Sequence, residues 1–311
     1  MTITALTSTG KPTRSIERPR PLTRVMAWEL RRFRASRLFW LQALGFFCFL
    51  LFLTWAQQAP VRFATIHGTV AFFGFVAGTS AWGLLQTLPL ALMLLGMLLP
   101  FVTADGVTRD LSRRTHELLM TTALPTWAYV WGRYLIGLLM SLGLALLLLA
   151  AILGMGGLLH LSVPAYPLPQ AGAVLLLWVG MVLPATVLVS SLSFALGTLL
   201  PRLTNLVKIV ILLGWIVGAV ILPKGLGNTT PPAWYVNWDP TSAVTALGML
   251  PQLDLSRATS QAQFQNAILA IENKVPDIGG WFASHLLLAG VSLVLVLVAA
   301  RAFKRSRDVL N

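Results

Sequence analysis

Residues 21–56 read PLTRVMAWELRRFRASRLFWLQALGFFCFLLFLTWA, a basic stretch that passes directly into an apolar one. Wound at about 100° per residue, Leu22, Val25, Met26, Leu30 and Phe33 fall on one arc of a helix, and Arg24, Arg31, Arg32 and Arg34 on the other. A helix of that kind lies in the plane of a bilayer surface, its apolar side down and its arginines toward anionic headgroups. From residue 38 to residue 56 the charges disappear, over roughly the 20 residues that a helix needs to cross the hydrocarbon core. The stretch predicts an interfacial amphipathic helix over 22–37 followed by a membrane span.

Glu29 breaks the pattern, because it falls within the apolar arc. A carboxylate there is costly unless a cation meets it. Two partners fit: Arg32 on the same helix, at a favourable i, i+3 spacing, or a cation from elsewhere in the chain.

Working outward, five further apolar runs are long enough to span, over about 81–103, 130–158, 171–200, 205–222 and 280–302. The chain of 311 residues is 56% hydrophobic and 11% charged, with a mean hydropathy of +0.77. A soluble domain cannot cover itself with so little polar surface. The expected fold is an all-α polytopic membrane protein with six transmembrane helices. The run 69–79, TVAFFGFVAGT, extends the second span or forms a short helix at the outer interface. Pro89 and Pro184 lie inside spans and are expected to kink them.

The net charge of +13 points to nucleic acid only in a soluble protein; here its distribution is what matters. Lys and Arg crowd residues 11–37, 109–133, 202–208 and 301–307, whereas the intervening loops hold only Arg62, Lys224, Arg257 and Lys274. Basic residues stay on the cytoplasmic side, so both termini are expected there. Residues 1–21 read as a disordered cytosolic tail without the apolar region of a secretory signal, although their Arg-rich, acid-poor character also fits an organellar transit peptide. The span region covers 38–303 and residues 304–311 form a basic cytosolic tail. The outer loop 223–279 has turn-rich and aromatic character, then Phe264, Ile268 and Ile271 at helical spacing, which predicts an external helix.

Between spans two and three stands DGVTRDLSRRTHELLMTTALP, residues 105–125. His116-Glu117 begins a zinc-protease motif, but the second imidazole position is Met120, a poor zinc ligand. The other histidines, His67, His160 and His285, fall on the outer side. The lone Cys48 excludes an internal disulfide and a thiolate cluster. There is no nucleophile elbow, no phosphate-binding Gly-rich loop with Lys-Ser/Thr, and no acidic residue within a span for a proton relay. The charged stretch thus reads as a short helix over about 105–122, either solvated and held by its own ion pairs such as Arg113 with Glu117, or presented to a cytosolic partner. Gly74/Gly78 and Gly214/Gly218 have the small-xxx-small spacing of close helix packing. The Gly214/Gly218 pair fits a contact between two copies or packing within one.

Two segments, WELRRFRASRLFW and TRDLSRRTHELLMTTALPTWAYVWGRYLIGLL, together resemble the permeases of type-2 ABC exporters. The matching residues are Glu29-Leu30 in the elbow helix, with Arg31 and Arg32 after them, then Arg109-Asp110, Thr115, Glu117-Leu118-Leu119, Pro125 and Gly132-Arg133. Arg114 stands where the family usually has glycine, and Arg133 where it usually has lysine. The resemblance implies that the inner helix is a coupling helix, with Arg109, Asp110, Arg113, Arg114 and Glu117 touching an ATPase subunit. It implies a second permease copy or related permease, and ATP and Mg²⁺ held by the ATPase rather than by this chain. It also implies no enzyme activity in the chain itself and a cell membrane location in a prokaryote. Gln42, Gln86, Ser190, Ser191 and Ser193 are polar candidates for a lining. An intramembrane enzyme and a noncatalytic membrane scaffold or sensor are the competing classes.

Overall fold

The structure is a computed structural model that describes residues 21–64, 71–108, 125–226, 231–250, 258–275 and 280–309. Helix α1 covers Pro21–Ala35. Ser36 then breaks the helix and caps the next, its hydroxyl accepting from Phe39 N–H at 3.3 Å, so that α2 runs from Arg37 to Ala56. Five more long helices follow: α3 (Ala81–Thr103), α4 (Thr126–Ser162), α5 (Ala171–Leu199), α6 (Pro201–Leu226) and α10 (Trp281–Val309). Together with α2 they make six helices long and apolar enough to cross a membrane. The chain is a multi-pass membrane protein.

Helix α3 is the axis of the bundle. Leu84, Leu85, Leu88, Leu92, Leu95 and Leu99 are all buried, and α2, α4, α5 and α6 pack against it. Gly96 lets the Trp215 indole of α6 lie flat on α3, where its Nε1–H donates to the Leu92 carbonyl at 3.0 Å. Helix α10 packs chiefly on α5. Several hydroxyls inside the spans bond to the preceding turn, as Ser141 does to Gly137 and Thr186 to Val182.

Residues 69–79 correct the sequence reading. Ala71–Val76 is a strand, β2, paired antiparallel with β1 (Ala59–Ala64) in the register Ala59↔Val76 to Ala64↔Ala71. The run is apolar but aromatic and short, and a strand partner lies just upstream. Ser80 then starts α3 sharply, its hydroxyl accepting from Gly83 N–H at 3.1 Å. Gly74 therefore sits in a strand and takes no part in helix–helix packing.

The expected external helix is present as α9 (Gln261–Ile271), with Phe264 and Ile268 buried against Val76 and Gly74 of the hairpin. Two short helices precede it, α7 (Ala233–Trp238) and α8 (Ala243–Met249). Hairpin, α7, α8 and α9 gather at one end of the bundle, which we call the hairpin end. The opposite end holds α1, the C-termini of α3, α5 and α10, and the N-termini of α4 and α6.

Two spans leave regular α geometry. Helix α5 contains a π segment at Trp178–Val182, immediately before Pro184, and α6 contains one at Val217–Ile221. Pro184 has no N–H to give the Gly180 carbonyl four residues back. His285 of α10 stands in for it, with Nδ1 at 3.0 Å from Gly180 O.

Candidate functional site

At the end opposite the hairpin, α3 stops at Thr103 and the chain makes a tight turn, with Gly106 N–H donating to Thr103 O at 3.2 Å. Gly106 is needed because a side chain there would strike the Phe194 ring of α5. Gly197 is needed for a similar reason, since a Cβ would meet the Ala104 carbonyl. The turn is thus seated directly on the end of α5.

Arg133, on the second turn of α4, ties this turn to α1. Its side chain is wholly buried, and Nε lies 3.0 Å from Oε1 of Glu29, which is only 2% exposed. Its Nη1 donates to the Gly106 carbonyl. Its guanidinium also lies over the rings of Tyr129, at 4.6 Å, and Trp28, at 5.1 Å, a stacking that suits its planar charge. Gly132 beside it lets α1 come close, because a Cβ would overlap Val25. Both partners that the sequence allowed for Glu29 are used at once: Arg32 Nη1 reaches Oε2 at 2.8 Å as well.

Next to the turn, Asp105 accepts from Lys208 at the start of α6, with Nζ at 2.7 Å. Lys208 also lies over the Phe101 ring at 5.7 Å. Tyr129 of α4 stacks on Phe303 of α10 at 6.2 Å between centroids. Six helices and one turn therefore meet around the point where the chain enters residues 109–124.

The charges assigned to the inner loop itself, Arg109, Asp110, Arg113, Arg114 and Glu117, lie outside the described residues. Of the elbow residues, Glu29 and Arg32 belong to the cluster, whereas Arg31 is exposed. Gly218 packs against Thr241 within the chain, and Gly214 faces open space. Among the polar lining candidates, Gln42 and Gln86 are half-buried, but Ser190, Ser191 and Ser193 are fully enclosed within the protomer. Ser191 is bonded to the Tyr134 hydroxyl at 2.8 Å. In this conformation the three serines pack the bundle and line no open path.

Sequence reasoning missed the polar cluster at the hairpin end. Asp239 there accepts from Thr241 N–H and hydroxyl at 2.9 and 2.8 Å and from Val244 N–H at 2.6 Å, capping α8. Its negative charge, after burial, helps push the nearby Tyr235 phenol above its ordinary range. Glu272, just past α9, accepts from Ala77 N–H at 2.6 Å, while its backbone carbonyl accepts from Trp82 N–H at 3.1 Å. Burial holds the Glu272 carboxyl above the usual carboxylate range, although the Ala77 N–H pulls the other way. The usable signal was indirect: an acidic residue closing an amphipathic helix, next to a span that begins with exposed N–H groups. Comparison with protein-family models and with curated proteins finds no match for this chain.

Proposed function

We propose that this chain is the membrane-spanning permease subunit of an ABC exporter, moving its substrate with ATP hydrolysed on a separate nucleotide-binding subunit. One observation carries the reading: the Glu29–Arg133 pair joins the two stretches in which the resemblance to type-2 permeases resides. One is the helix that precedes the first span; the other is the segment that opens the third. A mechanical link between them is what a motion-transmitting subunit requires.

In this reading α1 is the elbow helix at the cytoplasmic surface, and both termini are on that side. Residues 109–124 dock on the ATPase through Arg109, Asp110, Arg113, Arg114 and Glu117. ATP and Mg²⁺ belong to that partner. Closure of two ATPase subunits moves two permease copies, and the turn at Asp105–Gly106 passes the movement to α1, α4, α5 and α6. The scarcity of charge inside the six spans fits a conduit whose energy is supplied from outside the chain.

The test is reconstitution with a Walker-type ATPase subunit that co-purifies with this chain. Reversing charge at Arg113→Glu and Glu117→Arg is expected to abolish substrate-stimulated ATP hydrolysis while membrane insertion stays normal. A double variant that retains full stimulated turnover and ATPase binding would refute the assignment.

A further inference from the structure

At the hairpin end, the last turns of α2 and α4 and the strand β2 enclose an open cleft of about 570 Å³, within the ~300–1,000 Å³ typical of small-molecule sites. Its walls are Trp55, Leu159, Val163 and Phe75, and its polar groups are Gln58 and Tyr166. Among the described residues, no charged side chain lines it. Trp55 and Phe75 are 56% and 73% exposed, large aromatic surfaces left uncovered on a hairpin and a helix end.

Its height in the bilayer is set by the spans. From Arg37 to Trp55 along α2 the rise is about 27 Å. From Arg133 to Leu159 along α4 it is about 39 Å. Hydrocarbon is roughly 30 Å thick and the whole bilayer about 40–45 Å. The cleft therefore straddles the boundary where acyl chains give way to ester groups and headgroups.

The polar groups are arranged for that boundary. Gln58 Oε1 accepts from Gly78 N–H at 3.3 Å, and Nε2 donates one N–H to the Tyr166 hydroxyl at 3.4 Å. Tyr166 OH lies 3.2 Å from Thr79 Oγ1. A carboxamide nitrogen carries two donors, so Gln58 has a second N–H to offer a ligand carbonyl. Uncharged donors above an apolar wall at this depth match an acyl ester, and they do not match an anionic headgroup.

We propose that this cleft is a binding site for one phospholipid of the adjacent leaflet. Its ester carbonyls accept from Gln58 and Tyr166, and the upper part of one acyl chain lies along Trp55, Leu159, Val163 and Phe75. The site stands on the span geometry alone and does not depend on the transport reading.

The test uses the full chain in phosphatidylcholine nanodiscs doped with a phosphatidylcholine bearing a diazirine on the upper acyl chain. After irradiation, adducts are located by peptide mass spectrometry. Labelling at Trp55 and at Leu159–Val163 should exceed that at Leu213 and Val294, which are exposed on α6 and α10. Val163→Trp, at an exposed position, should fill the cleft and lower its labelling to the level of the other lipid-facing positions, with labelling at Leu213 unchanged. Gln58→Leu should lower labelling without filling the space. Uniform labelling of all lipid-facing positions, or labelling at the cleft that neither variant alters, would overturn the site. Loss of label at Leu213 as well would identify a misfolded variant, and Gln58→Leu then decides.

Discussion

Arg133 Nε and Glu29 Oε1 stand 3.0 Å apart with both side chains sealed from solvent, and they join α1 to a span that is not its neighbour in sequence. A buried pair of this kind contributes little net stability when intact but is costly to break, about 3–5 kcal/mol when one partner is removed. Glu29→Leu or Arg133→Met alone should therefore lower thermal stability strongly in detergent. The double change Glu29→Leu with Arg133→Met should recover most of the loss. Arg133→Lys should fall between, because an ammonium cannot hold Glu29 and the Gly106 carbonyl together. Near-additive effects in this double-mutant cycle would show that the pair is uncoupled.

The Asp105–Lys208 pair should behave differently. Its side chains are 26% and 12% exposed, so solvent screens the attraction, and Lys208→Gln should cost only about 0–1 kcal/mol. Thermal melts at low and high salt test this: the small loss should shrink as ionic strength rises.

His285 supplies the donor that Pro184 withholds from Gly180. His285→Leu removes this buried bond and should destabilise by about 0.5–1.5 kcal/mol. In a Pro184→Ala background the backbone regains an N–H at position 184, and the same His285→Leu change should cost measurably less. Equal costs in the two backgrounds would mean that His285 acts only through packing.

Folding raises the affinity of Glu272 for a proton, since burial holds its carboxyl above the ordinary 4.5. The stabilisation is complete below the unfolded value and is lost as pH rises through the raised folded one. Docking of α9 on the hairpin should therefore loosen as pH climbs above 4.5. Glu272→Gln keeps the acceptor for Ala77 N–H and should flatten the dependence. Thermal unfolding of both proteins from pH 4.5 to 7 measures the difference.

Six spans were legible because a run of about 20 apolar residues has few other homes, and the observed ends of α2, α3 and α5 fall within a residue or so of those expected. The hairpin was not legible, because AFFGFV is apolar on both faces and periodicity cannot separate a strand from a helix turn in so short a run. The π segments were hidden as well. Each inserts a residue into the helical count, so face assignments made at a constant angle lose their phase beyond Trp178 and Val217. At the site, the sequence showed that Glu29 needed a cation but could not choose Arg133, since that choice is made by α1 crossing α4 at Gly132.

The bond from Arg133 to the Gly106 carbonyl clips together the two ends of chain that lead into and out of residues 109–124. Gly106 and Arg133 are thereby held together at the base of that segment. Under the proposed function, a movement of that base reaches the Arg133 guanidinium, which bears on both Pro21–Ala35 and Thr126–Ser162. One side chain thus joins the base of the loop to two helices of the bundle.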